Sequence, residues 1–154
     1  MLRQSWSQAL LSFDGRINRA RYWLLPLAPF VPALAAAILA VLIFGDPRAS
    51  WPVLYPAILV SAVAGVACTV KRLHDRNKSG HWAWLYLGGP FLTAAIDNAT
   101  GHTDDFTVFT AIGAALVLWM VVDLGFLPGT EGANDYGPNP LVLPEVATTT
   151  ESET

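Results

Sequence analysis

Apolar residues in this chain fall in long blocks. Tyr22 to Phe44 runs for 23 residues without a charged side chain, Trp51 to Val70 for 20, and Phe106 to Leu127 for 22 with one aspartate, Asp123. Each exceeds the ~18 residues of a helix that crosses a hydrocarbon core. Three spanning helices are therefore predicted. A fourth block, Trp82 to Ile96, is 15 residues with Gly88, Gly89 and Pro90 in its middle, roughly 22 Å of helix against a core of about 30 Å. Begun at Ser79 as an N-cap and carried to Asn98, it reaches twenty residues whose polar ends meet the interfaces. The expected fold class is all-α: an integral membrane bundle of four transmembrane helices, with spans at about 20–44, 51–72, 80–98 and 104–127. They form one domain, 1–140, followed by a disordered acidic, Thr-rich tail, 141–154.

Between the blocks the pattern changes. Leu2, Trp6, Ala9, Leu10 and Phe13 recur at helical spacing, with Arg3, Gln4 and Ser7 elsewhere on the wheel. This predicts an N-terminal amphipathic helix on the membrane surface. Asp14-Gly15 breaks it, Asn18 is placed to cap the next helix, and Tyr22-Trp23 mark the aromatic belt where the first span enters lipid. Pro26, Pro29 and Pro32 remove three amide donors from the first span and predict a kink. Gly45 and Pro47 end it, and the short connection makes the first two spans an antiparallel hairpin. Ala57, Ser61, Gly65 and Thr69 form a small-residue stripe on the second span, read as internal helix packing. Thr103-Asp104-Asp105 are placed to cap the last span, and Pro128 ends it.

Composition agrees with a membrane class: 53% of residues are hydrophobic and only 14% charged, far from a soluble average. The net charge of −3 is less informative than the placement of the nine Lys and Arg. Arg3, Arg16, Arg19 and Arg21 precede the first span, Lys71, Arg72, Arg76 and Lys78 follow the second, and Arg48 stands alone. The positive-inside rule then puts the N-terminus and the 71–81 loop in the cytoplasm, and four spans return the C-terminus there. A cleaved signal peptide is not expected, since the first apolar run is longer than an h-region and follows four arginines. Cys68 is the only cysteine, so no disulfide forms within the chain; it reads as a packing residue.

Three polar segments carry the candidate chemistry: FDGRINRARYW (Phe13 to Trp23), KRLHDRNKSGHW (Lys71 to Trp82) and GTEGANDYGPNPL (Gly129 to Leu141). A Phe-x-Gly-Arg-Ile-x-Arg-x-x-Tyr-Trp opening, an Arg-Leu-His-Asp-x-x-x-Ser-Gly centre and a Gly-Thr-x-Gly-x-Asn-x-Tyr-Gly-x-x-Pro ending, in that order, resemble the bacterial family known as domain of unknown function 805. The resemblance covers nearly the whole chain. It implies a small inner-membrane protein with four spans and brings no activity with it. Asp123 belongs to none of the three motifs.

With all three motifs on the cytoplasmic face, a shared polar cap is expected. Its candidate members are Arg16, Arg19 and Arg72, then His74, Asp75 and Ser79, and on the tail Glu131, Asn134, Asp135 and Tyr136. Glu131 and Asp135 are the expected partners of Arg16, Arg19 or Arg72. His74 beside Asp75 suggests an oriented base, but no serine or cysteine nucleophile is placed for it. His74, Asp75 and His81 lack metal-ligand spacing. The Asp-Gly start of the first motif brings to mind phospholipid-head transferases, but Asn18 stands where alanine is required and no paired aspartates follow to hold a metal. No catalytic residue, cofactor or metal is expected. Asp123, the one ionisable side chain well inside a span, is by default a functional candidate; pairing with Arg21 or Arg72 is the favoured reading. The function expected is non-enzymatic: a membrane module whose cap binds anionic phospholipid headgroups or another membrane protein, with no nucleic-acid partner. The alternative is a channel or transporter subunit using Asp123 and the proline-broken first span.

Overall fold

The computed structural model describes residues 10–101 and 106–141. Among these the protein is helical, with no strand and a single isolated bridge between Asn134 and Gly137. The amphipathic helix expected at the N-terminus, the Thr103 to Asp105 cap and the acidic tail fall largely or wholly outside the described residues.

The first apolar block is two helices, α1 (Arg19–Leu24) and α2 (Leu27–Phe44). Asn18 caps α1, its side chain accepting from the Arg21 amide at 2.9 Å. Pro26 sits at the break between them and Pro32 inside α2, where each lacks the amide that a continuous helix requires. Gly45 closes α2 at φ 67°, a left-handed C-cap open to glycine, with its N–H on the Val41 carbonyl. A 3-10 turn (Pro47–Ser50) then leads into α3 (Trp51–Asp75), 25 residues long and antiparallel to α2.

The second hairpin begins with a π-helical turn, Trp84–Gly88, that runs into α4 (Gly89–Ala99). Its partner α5 (Val108–Met120) ends in a second π-helical turn, Val121–Phe126. The cap of α5 is Thr107, which forms a capping box with Thr110, rather than a residue of the Thr103 to Asp105 run. Asp97, buried near the end of α4, accepts from both threonine hydroxyls, at 2.5 Å from Thr107 and 2.8 Å from Thr110. Closer to the middle of this hairpin, a Cβ on Gly113 would lie 2.5 Å from the Thr93 hydroxyl, so glycine is what lets the two helices approach.

The two hairpins meet at one end, where α1 and the C-terminal part of α3 pack on the Val121–Phe126 turn. Small residues are buried along the first hairpin, Ala37 on α2 and Ala64 and Ala67 on α3, while Cys68 joins an apolar cluster with Tyr22, Leu73 and Leu124. Large apolar side chains face outward: Leu42 is 76% exposed, Phe44 73% and Phe91 79%. Meanwhile Arg16, Lys71, Arg72, Asp75 and Asp123 are buried. That inversion of the soluble pattern suits a molecule whose solvent is lipid. Among the described residues three helical stretches are long and apolar enough to cross a membrane: Arg19–Phe44, Pro47–Asp75 and Val108–Phe126.

Candidate functional site

The meeting point of the hairpins is a polar cap built on two helix ends. An α-helix leaves its last carbonyls without intrahelical donors, and burial makes their neglect costly. At α3, Asn77 takes φ 55° and turns the chain back, so that the amides of Arg76 and Lys78 reach the Leu73 carbonyl at 3.0 and 2.9 Å. The Asp75 carbonyl receives both the Thr130 amide at 2.8 Å and its hydroxyl at 3.0 Å. Asn134 donates its side-chain amide to the His74 carbonyl at 2.8 Å. The tail therefore completes the end of α3.

The C-terminal end of the last helix is completed from the opposite direction. Arg72 Nε donates to the Leu124 carbonyl at 2.8 Å and Nη2 to that of Leu127 at 2.5 Å. Arg19 donates to Phe126 at 3.1 Å, and the Trp23 indole lies 3.4 Å from the Gly125 carbonyl. Cationic donors suit this end because the helix dipole is negative there.

Asp75 joins the two sets. Its carboxylate pairs with Arg72 through one oxygen and accepts from Arg16 Nε at 3.0 Å through the other, with all three side chains buried. The rest of the Arg16 fork holds the tail: Nη2 donates to Thr130 at 2.7 Å, and Nη1 to Gly132 at 2.8 Å and Gly137 at 3.1 Å. Such a planar five-donor fork suits several fixed acceptors at once. Gly129 passes so close to Asp75 that any Cβ there would overlap its carboxylate.

A second network surrounds Asp123. Lys78 Nζ donates to both carboxylate oxygens, at 2.9 and 2.7 Å, and Arg76 Nη2 lies 3.1 Å away. Tyr86 donates its hydroxyl to Asp123 at 2.8 Å and accepts from the Trp119 indole at 2.6 Å. Asp123 therefore pairs with Lys78 and Arg76 rather than with Arg21 or Arg72. Arg72 stays with Asp75, and the Arg21 side chain is exposed on α1.

The tail carboxylates also differ from expectation. Glu131 and Asp135 are exposed, and among the described residues the ion pairs run to Asp75 and Asp123 instead. The tail docks through carbonyls, Thr130 and Asn134. Arg19 lies at the rim with its fork on Phe126, while Ser79 and Tyr136 lie beside His74 in a cleft. The His74 ring stacks on Tyr136 with centroids 3.9 Å apart and planes 4° from parallel, and its Nδ1 is 3.3 Å from the Gly15 carbonyl.

Sequence reasoning missed Lys78, Arg76, Tyr86, Trp119, Thr130 and Asp97. Thr130 stood in the third motif, and its position after a glycine was the one available signal. Lys78 and Arg76 stood in the second motif, but nothing local matched them or Tyr86 to Asp123, which lies 37 to 47 residues further along the chain.

As chemistry, the arrangement is a lock. Both oxygens of the Asp75 carboxylate are occupied by buried guanidinium groups, and Ser79 meets His81 Nδ1 in a local turn contact at 2.8 Å. Among the described residues no cluster of three or more His, Cys, Asp or Glu is placed to hold a metal.

The family model for Protein of unknown function (DUF805) matches residues 10–138, which takes in every residue of both networks. Uncharacterized protein YiiR of Escherichia coli (strain K12) is 33% identical over 137 residues, covering 89% of this chain and 89% of the relative. Inner membrane protein YhaI of the same organism is 29% identical over 133 residues, covering 84% and 86%. No solved structure matches. The chain belongs to the DUF805 family.

Proposed function

We propose that this protein is a non-enzymatic module of the bacterial inner membrane, with four spans and both termini cytoplasmic, whose exposed cationic rim meets anionic phospholipid headgroups. The observation that carries the reading is the two-sided character of the cap. Arg16 and Arg72 are buried and committed to Asp75 and to backbone carbonyls, whereas Arg19 and Arg21 are exposed on α1 beside Trp23. Cations next to exposed aromatic side chains suit the headgroup layer. Arg48, by contrast, lies in the hairpin turn at the far end of α3, so the cationic excess belongs to the cap end. The name of YhaI supports the inner membrane as the location.

The fourth span is the 5-residue π-helical turn followed by the 11 residues of α4, roughly 24 Å of helix. Exposed Trp82 and Trp84 at its start and Thr100 at its end extend it toward the interfaces. The transport alternative finds Asp123 held by two cations and a tyrosine, which favours a structural carboxylate.

The test uses nanodiscs of increasing phosphatidylglycerol content. The melting temperature of the parent protein should rise with anionic lipid, and the rise should flatten in Arg19→Gln/Arg21→Gln. Equal slopes for the two proteins would contradict the rim reading.

A further inference from the structure

At the edge of the cap lies an open cleft of about 400 Å³. His74, Ser79, His81 and Tyr136 form its polar wall, and Val70 and Trp84 its apolar wall. Among the described residues no carboxylate lines it; of the adjoining cations, Arg72 is paired with Asp75, and Arg76 and Lys78 with Asp123. The geometry points to a site for a phosphate ester, held by the two imidazoles, with an apolar substituent along Trp84.

The orientation of each ring is determined by its neighbours. A carbonyl only accepts, so the contact to Gly15 places a proton on His74 Nδ1 and leaves Nε2 for the cleft. That nitrogen is beside Gly80, where an added Cβ would lie 3.3 Å from it and 2.9 Å from Val70. Glycine at this position keeps the cleft open. Tyr136 fixes the plane of the His74 ring by stacking. On the other imidazole, Ser79 Oγ accepts the His81 amide at 3.4 Å and lies 2.8 Å from Nδ1, a contact that occupies that nitrogen and leaves Nε2 outward. Each ring therefore keeps its Nε2 for a ligand, that of His74 as an acceptor that becomes a donor on protonation. This pair suits a phosphate oxygen together with a hydroxyl, either of a glycerol headgroup or of inorganic phosphate. Trp84, 78% exposed, supplies an amphipathic surface of the kind that sits at a lipid interface.

The inference deepens the headgroup reading of the cap and rests on it for the membrane setting. It has its own readout, the ring-nitrogen NMR shifts of His74 and His81 in protein labelled with ring-¹⁵N histidine and held in maltoside detergent. Dihexanoyl phosphatidylglycerol should move both Nε2 signals saturably, with at least a tenfold weaker midpoint in Gly80→Ala. A response to inorganic phosphate at the same concentrations would support the site and assign it to soluble phosphates; a response to the lipid alone would assign it to headgroups. Unmoved signals with both probes would overturn the site, and that result leaves the Arg19 and Arg21 nanodisc slopes untouched, so the two readings fail separately.

Discussion

Arg72 and Leu124 stand 52 residues apart, and the guanidinium of one donates to the carbonyl of the other at 2.8 Å. The contact is half of a reciprocal arrangement. A side chain from the end of α3 completes the last helix, while Thr130 and Asn134, which follow that helix, complete α3. Two buried helix ends thus satisfy each other, and Asp75 holds the arginines that join them.

Removing the shared carboxylate should be the most damaging polar change. Asp75→Asn leaves Arg16 and Arg72 buried with their mutual counter-charge gone, and breaking a buried pair costs about 3–5 kcal/mol. Arg16→Lys keeps the charge and loses the fork, so it should also destabilise, by about 1.5–3 kcal/mol. Glu131→Gln and Asp135→Asn, on exposed tail positions, should stay within ~0.5 kcal/mol of the parent. Denaturant unfolding in detergent measures all four; tail variants as damaging as Asp75→Asn would contradict this assignment.

Stopping the chain after Pro128 removes three carbonyl acceptors of Arg16 and the donors to Asp75 and His74. The loss should reach at least ~3 kcal/mol, since charged groups lose partners in a buried place. A lower melting temperature in detergent is expected. An unchanged one would mean that the tail contributes nothing to the cap.

Gly129→Ala tests the same docking with one methyl group. Its Cβ would overlap the Asp75 carboxylate, and overpacking of this kind costs about 1–3 kcal/mol. Hydrogen exchange should show the Thr130 amide, now bonded to Asp75, losing protection. Parent-like protection would argue that the backbone there has room.

For the second network, Lys78→Met and Asp123→Asn should be coupled. With Asp123 buried and the Lys78 side chain 31% exposed, a coupling of about 1–3 kcal/mol is expected from a double-mutant cycle in detergent. Additive effects within ~0.5 kcal/mol would mean that the pair is not energetically linked.

The sequence made the three long apolar helices and the broken start of the first legible, because block length and proline each act locally. Charge placement also suggested that the three motifs share one face, and in the structure Arg16, Asp75 and Thr130 touch. The acceptors of Arg16 and Arg72 were not legible. Every residue has a carbonyl, so composition could not mark those of Leu124, Leu127 or Gly132 as unsatisfied helix-end and turn groups, and Glu131 and Asp135 drew attention only because they carry charge. Asp123 shows the same limit. Its helix position was clear, but Lys78 reaches it from a loop whose path depends on the Asn77 turn. Thr107 displaced Thr103 as the cap of α5 because its hydroxyl also serves Asp97 across the hairpin.

The central claim is that the motifs form one cap on the cytoplasmic side of a four-span protein. Its most direct test replaces buried Cys68 with alanine and places one cysteine at exposed Asp135 or at Ala49 in the opposite turn. Intact cells are then treated with an impermeant maleimide. The account predicts labelling at position 49 and protection at position 135 until the membrane is opened. Labelling at position 135 in intact cells would contradict it.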